Sequence, residues 1–296
     1  MLFRSAFLRG QITIARDDIE QGLALYDIDL HRGLWAIYGL HDPGVCARAH
    51  GGCALWQAGF AERGAGVALD AIRVGDTLAH PYSRSVALWY AGFYSMMAGD
   101  ARAARGHADT VAEIAAEGKL ALPAAMSKFT SAWATSQQGE PGRGAELMEA
   151  TFRAQLNAKQ RGYLTFLGTL LAAAKLEMGR ADDCLNLLDE LQQISVETHQ
   201  KLFISDVHRL RADALRHVDF RSPRIEEEYR IAVRIAQEQG ALTLELRATT
   251  GLADWMAVTG HEEAGCKLLK SLYEQFTEGF DTPDLKAARV LLGRIG

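Results

Sequence analysis

Cysteine is scarce and scattered in this sequence. Four occur, Cys46, Cys53, Cys184 and Cys266, and no two form a C-x-x-C pair. That excludes the common zinc-ligand spacings and a dense disulfide framework. Small buried side chains in a reducing cytoplasm are the expectation instead. Long apolar runs are also missing. The longest, around Leu164 to Ala174, is too short to cross a bilayer. Met1 to Arg9 has an arginine inside a short apolar stretch and does not read as a signal peptide. No membrane partner is expected. An excess of one charge is missing too: 32 Lys and Arg stand against 37 Asp and Glu, a net charge of −5. Nucleic-acid binding needs a basic face to displace counterions from phosphates, so it is not expected either. Arg209, Arg211, Arg216, Arg221 and Arg224 are basic, but Asp206, Asp213 and Asp219 are interleaved with them, as on a solvated helix face.

Catalytic signatures are lacking as well. Gly260-x4-Gly265-Cys266-Lys267 resembles a phosphate loop but has no adjacent Gly-Lys-Ser/Thr. Gly64-Ala65-Gly66 begins a dinucleotide-like string without its third glycine. There is no H-E-x-x-H and no G-x-S-x-G. His208 and His217 are too far apart to ligate a metal from successive helical turns. Asp182-Asp183 suits the positive end of a helix better than a pair of catalytic acids. The expectation is a non-enzyme with no cofactor and no metal.

What the sequence does have is a period. Gly59, Gly99, Gly139 and Gly179 stand 40 residues apart; the next step reaches Asp219, and Gly260 follows it. Seven residues before each of these turns is a small side chain: Gly52, Gly92, Ala132, Ala172, Ala212 and Ala253. Five residues after most of them is another: Gly64, Ala104, Gly144, Cys184 and Gly265. Two helices of a hairpin approach closely only where side chains are small, and glycine accepts the left-handed backbone that ends a helix. The segments between turns carry apolar residues at three-to-four spacing, as in Leu185, Leu187, Leu188 and Leu191. No alternating β-branched run suggests a sheet.

The six prolines mark helix starts, with Asp42, Ser222 and Thr282 placed to cap three of them. The pattern predicts an all-α fold: a right-handed α-α superhelix of the tetratricopeptide-like solenoid kind, with about six helix pairs and a C-terminal capping helix. Helices are expected at roughly 2–9 and 12–26. Paired helices then follow at 44–58/61–76, 82–98/101–118, 122–138/142–158, 161–178/181–197, 201–217/224–239 and 241–259/262–277, and a last one at 283–294. In domain terms this is one repeat domain: an N-terminal hairpin and loop over 1–42, repeats over 43–279 and a cap over 280–296.

The small–turn–small pattern resembles the tetratricopeptide repeat, with a longer period than usual. Glu228 to Ala236 resembles the second helix of such a repeat, where an aromatic residue packs on the preceding helix. A narrower resemblance lies in Tyr38-Gly39-Leu40-His41-Asp42-Pro43-Gly44-Val45-Cys46 and in the tail Phe276 to Lys286. Both are similar to the C-terminal repeat region of bacterial signalling proteins that carry a class III adenylate/guanylate cyclase domain and an AAA/STAND-type ATPase. The resemblance implies a sensor or scaffold arm of such a protein. Cyclase and ATPase activity would belong to the implied parent and transfer to no residue here.

In repeats of this kind the first helix of each pair lines the concave face. Counting from the small residue, that face carries an apolar strip over its first two-thirds: Trp56, Trp89, Phe93, Met96, Met126, Phe129, Trp133 and Phe166. Charged residues follow: Asp206, Arg209, Asp213, Arg216 and Arg247. Two readings of the strip stand side by side. It is an open groove for a protein partner, an amphipathic helix or a small apolar ligand, or it is ordinary core between adjacent helices. Self-association as a homodimer through an exposed terminal helix pair is a third possibility.

Overall fold

The computed structural model describes residues 2–296; Met1, the first residue of the stretch considered for a signal peptide, lies outside them. The described residues form seventeen helices and no strand, and they fall into two compact units.

The first unit comprises residues 2–7, Ile12–Trp56 and Ala61–Gln160. Its helices are α1 (Leu2–Leu8), α2 (Ile12–Ala24), α3 (Ile28–His31), α4 (Trp35–Tyr38), α5 (Pro43–Gln57), α6 (Ala61–Thr77), α7 (Pro81–Ala98), α8 (Ala101–Gly118), α9 (Ala121–Gln137) and α10 (Pro141–Asn157). The second unit takes the turns Leu8–Gln11 and Gln57–Phe60 together with Arg161–Gly296. It contains α11 (Leu164–Glu177), α12 (Ala181–Thr198), α13 (Ile204–Val218), α14 (Arg224–Gln239), α15 (Leu242–Val258), α16 (Glu262–Tyr273) and α17 (Pro283–Ile295). Neighbours in sequence pack as pairs, the arrangement expected of a tetratricopeptide-like fold.

The periodic glycines do what their spacing implies. Gly59, Gly99, Gly139, Gly179 and Gly260 all have positive φ, between 74° and 103°. At Gly64 an added Cβ would lie 2.8 Å from the carbonyl oxygen of Gly52, and at Gly265 it would lie 2.9 Å from that of Ala253. These are the predicted crossing points. Elsewhere the crossing shifts. Gly144 faces the backbone of Ser136, and Gly92 faces Thr130 of the following pair. Asp42 caps α5 by accepting from Val45 N at 2.9 Å, and Thr282 caps α17 by accepting from Leu285 N at 3.5 Å. Ser222 does not cap with its side chain; Pro223 holds the N-cap of α14.

Three local features depart from the sequence expectation. The 27–42 loop contains two single-turn helices, the first capped by the Asp27 carboxylate. The helices expected to start near 161 and 201 start at Leu164 and Ile204. Ahead of them Tyr163 and Phe203 adopt φ of 64° and 60°. Both rings are buried, and that burial holds a backbone state that an ordinary side chain disfavours. The Phe203 ring packs on Phe166 at 4.6 Å between centroids. Gln200 bridges the two equivalent turns, accepting from Tyr163 N and donating to the carbonyl of Arg161.

At the C-terminal end, α15, α16 and α17 share a core of Leu246, Ala253, Leu269, Leu272, Phe276, Leu285, Ala288, Leu291 and Ile295. Tyr229 of α14 is fully buried and packs with Ala212 and Leu215 of the preceding helix, the role its repeat position implies. No helix is long and apolar enough to cross a membrane among the described residues.

Candidate interaction surface

The apolar strip is buried. Trp56 and Phe129 are 0% exposed, and Trp89, the most exposed of the eight, reaches 8%. Phe93, Met96, Met126, Trp133 and Phe166 lie between these limits. Trp89 and Phe93 sit one turn apart on α7 and meet edge to face, with centroids 5.6 Å apart. The eight side chains are packed interior in this structure, and they do not line an open groove. The physical reason is that closely stacked helices cover their shared face, leaving no width for a partner.

The charged positions behave differently. All five are brought together into one chain of ion pairs and hydrogen bonds across four helices of the second unit. Arg209 donates from Nε to Asp206 at 2.7 Å and from Nη1 to Asp213 at 2.8 Å. Arg247 on α15 reaches Asp206 at 3.1 Å and, on the other side, Asp284 at the start of α17 at 2.7 Å. The Tyr229 hydroxyl donates to Asp213, and Arg216 donates to that hydroxyl at 3.4 Å. Arg216 then binds Asp254 at 2.8 Å, and Asp254 also accepts from Arg294 near the end of α17. The ladder therefore runs from one end of α17, through α15, α13 and α14, and back to its other end.

The electrostatics are self-compensated. Burial alone would raise the Asp206 carboxyl, but the guanidiniums of Arg209 and Arg247 outweigh it and hold the group below its ordinary value. Asp254 is likewise opposed by burial and held down by Arg216 and Arg294. Burial and the Asp213 carboxylate together push the Tyr229 hydroxyl up. Four arginines thus meet four aspartates, and their charges offset one another.

Tyr229, Asp254, Asp284 and Arg294 were not among the charged positions expected from the repeat pattern. A signal for the last two existed. The long-range contacts join residues about one repeat apart: Arg247 and Asp206 by 41 positions, Arg216 and Asp254 by 38, Arg247 and Asp284 by 37, Arg294 and Asp254 by 40. Opposite charges separated by one period mark neighbours in adjacent repeats.

Two further polar clusters lie apart from this ladder. On α13, His208 Nδ1 lies 2.6 Å from Glu228, and Arg211 binds Asp189 at 2.9 Å and lies 3.7 Å from Glu228. In the first unit His50 is buried. Its Nδ1 donates to the carbonyl of Cys46 at 2.9 Å, and its Nε2 accepts from the Tyr90 hydroxyl at 2.9 Å. All four cysteines are free thiols. Burial pushes Cys46 and Cys184 up to about 12, so neither supplies a thiolate at neutral pH.

No family model matches this sequence. An uncharacterized protein of Rhizobium meliloti (strain 1021) is 25% identical over 262 residues, which make up 86% of this chain and 25% of that protein. The chain thus spans a quarter of that relative's length. Among solved structures, the apo form of RapI superposes with a TM-score of 0.55 at 13% identity, covering 99% of this chain and 100% of its own. Yeast Tom70 superposes with a TM-score of 0.51 at 11% identity, covering 96% of this chain and 58% of its own. The likeness to both is one of fold: paired helices in a tetratricopeptide-like array.

Proposed function

We propose that this chain is a non-enzymatic interaction and regulatory module, the sensor or scaffold arm of a longer signalling protein of the cyclase/ATPase type. The observation that carries the proposal is the use made of its reactive side chains. The acids and bases on the predicted face are committed to one another, and the ladder they form fastens α17 to the body of the second unit. A surface so compensated resists deformation and presents no group free for chemistry. Arrays of helix pairs offer extended faces for protein partners. The match to one quarter of a longer Rhizobium meliloti protein supports a role as one part of a larger chain. The residues around Asp42 and in the tail support the cyclase/ATPase setting through their resemblance.

The test adds purified chain, at rising concentration, to a class III cyclase–ATPase protein truncated before its own repeats. Cyclic-nucleotide production and ATP hydrolysis are followed, with sedimentation to detect a complex. A saturable change in either rate, together with a co-sedimenting complex, is the expected result. Unchanged rates and separate sedimentation would overturn the proposal.

A further inference from the structure

The second unit holds a cleft of about 710 Å³, within the range of small-molecule sites, which no part of the reading above uses. Its walls are the turn at Arg9–Gln11, the ends of α12 and α14 and the start of α13. The walls are fastened together. The carbonyl oxygen of Leu8 accepts from Lys201 N at 3.0 Å and from Leu202 N at 3.2 Å.

The cleft contains an unmet hydrogen-bond demand. Gln239, the last residue of α14, lines it and is 8% exposed. Its Nε2 donates to the carbonyl of Lys201 at 2.9 Å. That contact fixes the amide orientation, because the flipped amide would set oxygen against oxygen. Oε1 is left buried with no partner, a costly state for a strong acceptor unless a ligand answers it. Gly10 makes the arrangement possible. Its φ is +72°, and an added Cβ would lie 2.5 Å from Gln239 Nε2.

The surrounding groups define what would answer. Arg9 and Lys201 line the cleft, and neither is in an ion pair among the described residues. Glu238 also lines it. One positive charge is left over, which suits a monoanion. Ile204 and Ile235 supply apolar wall. We propose that this cleft binds a small carboxylate bearing an amide N–H and a branched aliphatic side chain, the chemical class of N-acyl amino acids. The N–H donates to Gln239 Oε1, the carboxylate lies between Arg9 and Lys201, and the side chain packs on the isoleucines. The site is independent of the partner surface, so either proposal survives the failure of the other.

The experiment is calorimetric titration of the full chain with N-acetyl-leucine. Two comparison ligands are 4-methylpentanoate, which lacks the N–H, and N-acetyl-leucine methylamide, which lacks the carboxylate. Saturable binding is expected, weaker by about tenfold or more for each comparison ligand. An Arg9→Ala/Lys201→Ala variant, which alters two exposed side chains of the cleft and no buried one, should lose it. Gln239→Met should weaken N-acetyl-leucine without weakening 4-methylpentanoate. If that variant fails to fold, the exposed double variant still decides. Absence of saturable binding up to about 10 mM, or equal affinity in the double variant, overturns the proposal.

Discussion

At the residue scale, a buried histidine whose ring nitrogens are both engaged with neutral partners has nowhere to put a second proton. His50 is such a residue. Burial lowers its pKa to about 3, against an ordinary 6.5. The unfolded chain therefore takes up the proton first, and stability is lost as pH falls from about 6.5 towards 3. The slope from this group alone approaches ~1.4 kcal/mol per pH unit. Urea titrations at pH 7 and pH 5 should show the midpoint dropping in the natural chain and dropping less in His50→Gln. An equal drop in both would place the effect elsewhere. Trp133 makes a second prediction. It is 5% exposed, so Trp133→Ala should destabilise by about 3–5 kcal/mol. A chain with an unchanged urea midpoint would return that tryptophan to the role of an exposed anchor. Lys119 gives a prediction of opposite sign. It is exposed and holds a φ of 52° at the end of α8. Lys119→Gly should stabilise by about 0.5–1 kcal/mol, since glycine takes the left-handed region without strain. This position belongs to a second periodic series, Ala79, Lys119, Lys159 and His199, all with positive φ. The series was not legible, because glycine marks only the positions flanking it, Gly39 and Gly240.

At the element scale, helix positions were legible almost to the residue, because glycine turns and proline starts repeat with the same period. The two helices that start three residues later than expected, α11 and α13, are those whose preceding aromatic adopts a left-handed backbone held by its burial. No local pattern announces that. The last helix illustrates what the period adds. α17 is attached by an apolar face and by charge at both of its ends, through Asp284 and Arg294. The two attachments differ in burial, and so should their energies. Arg247→Ala removes the partner of Asp284 and one partner of the buried Asp206. It should cost about 2 kcal/mol, below the usual figure for a fully buried pair because Asp206 keeps Arg209. Arg294 is mostly exposed, and Arg294→Ala should cost under about 1 kcal/mol. Chemical denaturation of the two variants side by side measures the difference. Equal losses would mean that the ladder is not graded by burial.

At the scale of the whole molecule, the period that revealed the fold also explains why the site was only half visible. Spacing tells which residues share a face. It does not tell how closely adjacent helices stack over that face. Asp206, Arg209, Asp213, Arg216 and Arg247 meet for that reason, while the aromatic positions, read from the same spacing, are interior. The cleft at Gln239 was invisible because its parts come from Arg9–Gln11, the α12–α13 turn and the end of α14, which share no repeat register. In an array built from contacts about one period long, a local loss of stability should fade over one or two repeats rather than spread through the unit. Hydrogen exchange of the Arg247→Ala chain checks this within the second unit. Amides of α15, α16 and α17 should exchange faster, those of α13 less so, and those of α11 at the natural rate. Uniform acceleration from α11 to α17 would show that these seven helices open as one cooperative body, and that the charge ladder braces all of them rather than only the last.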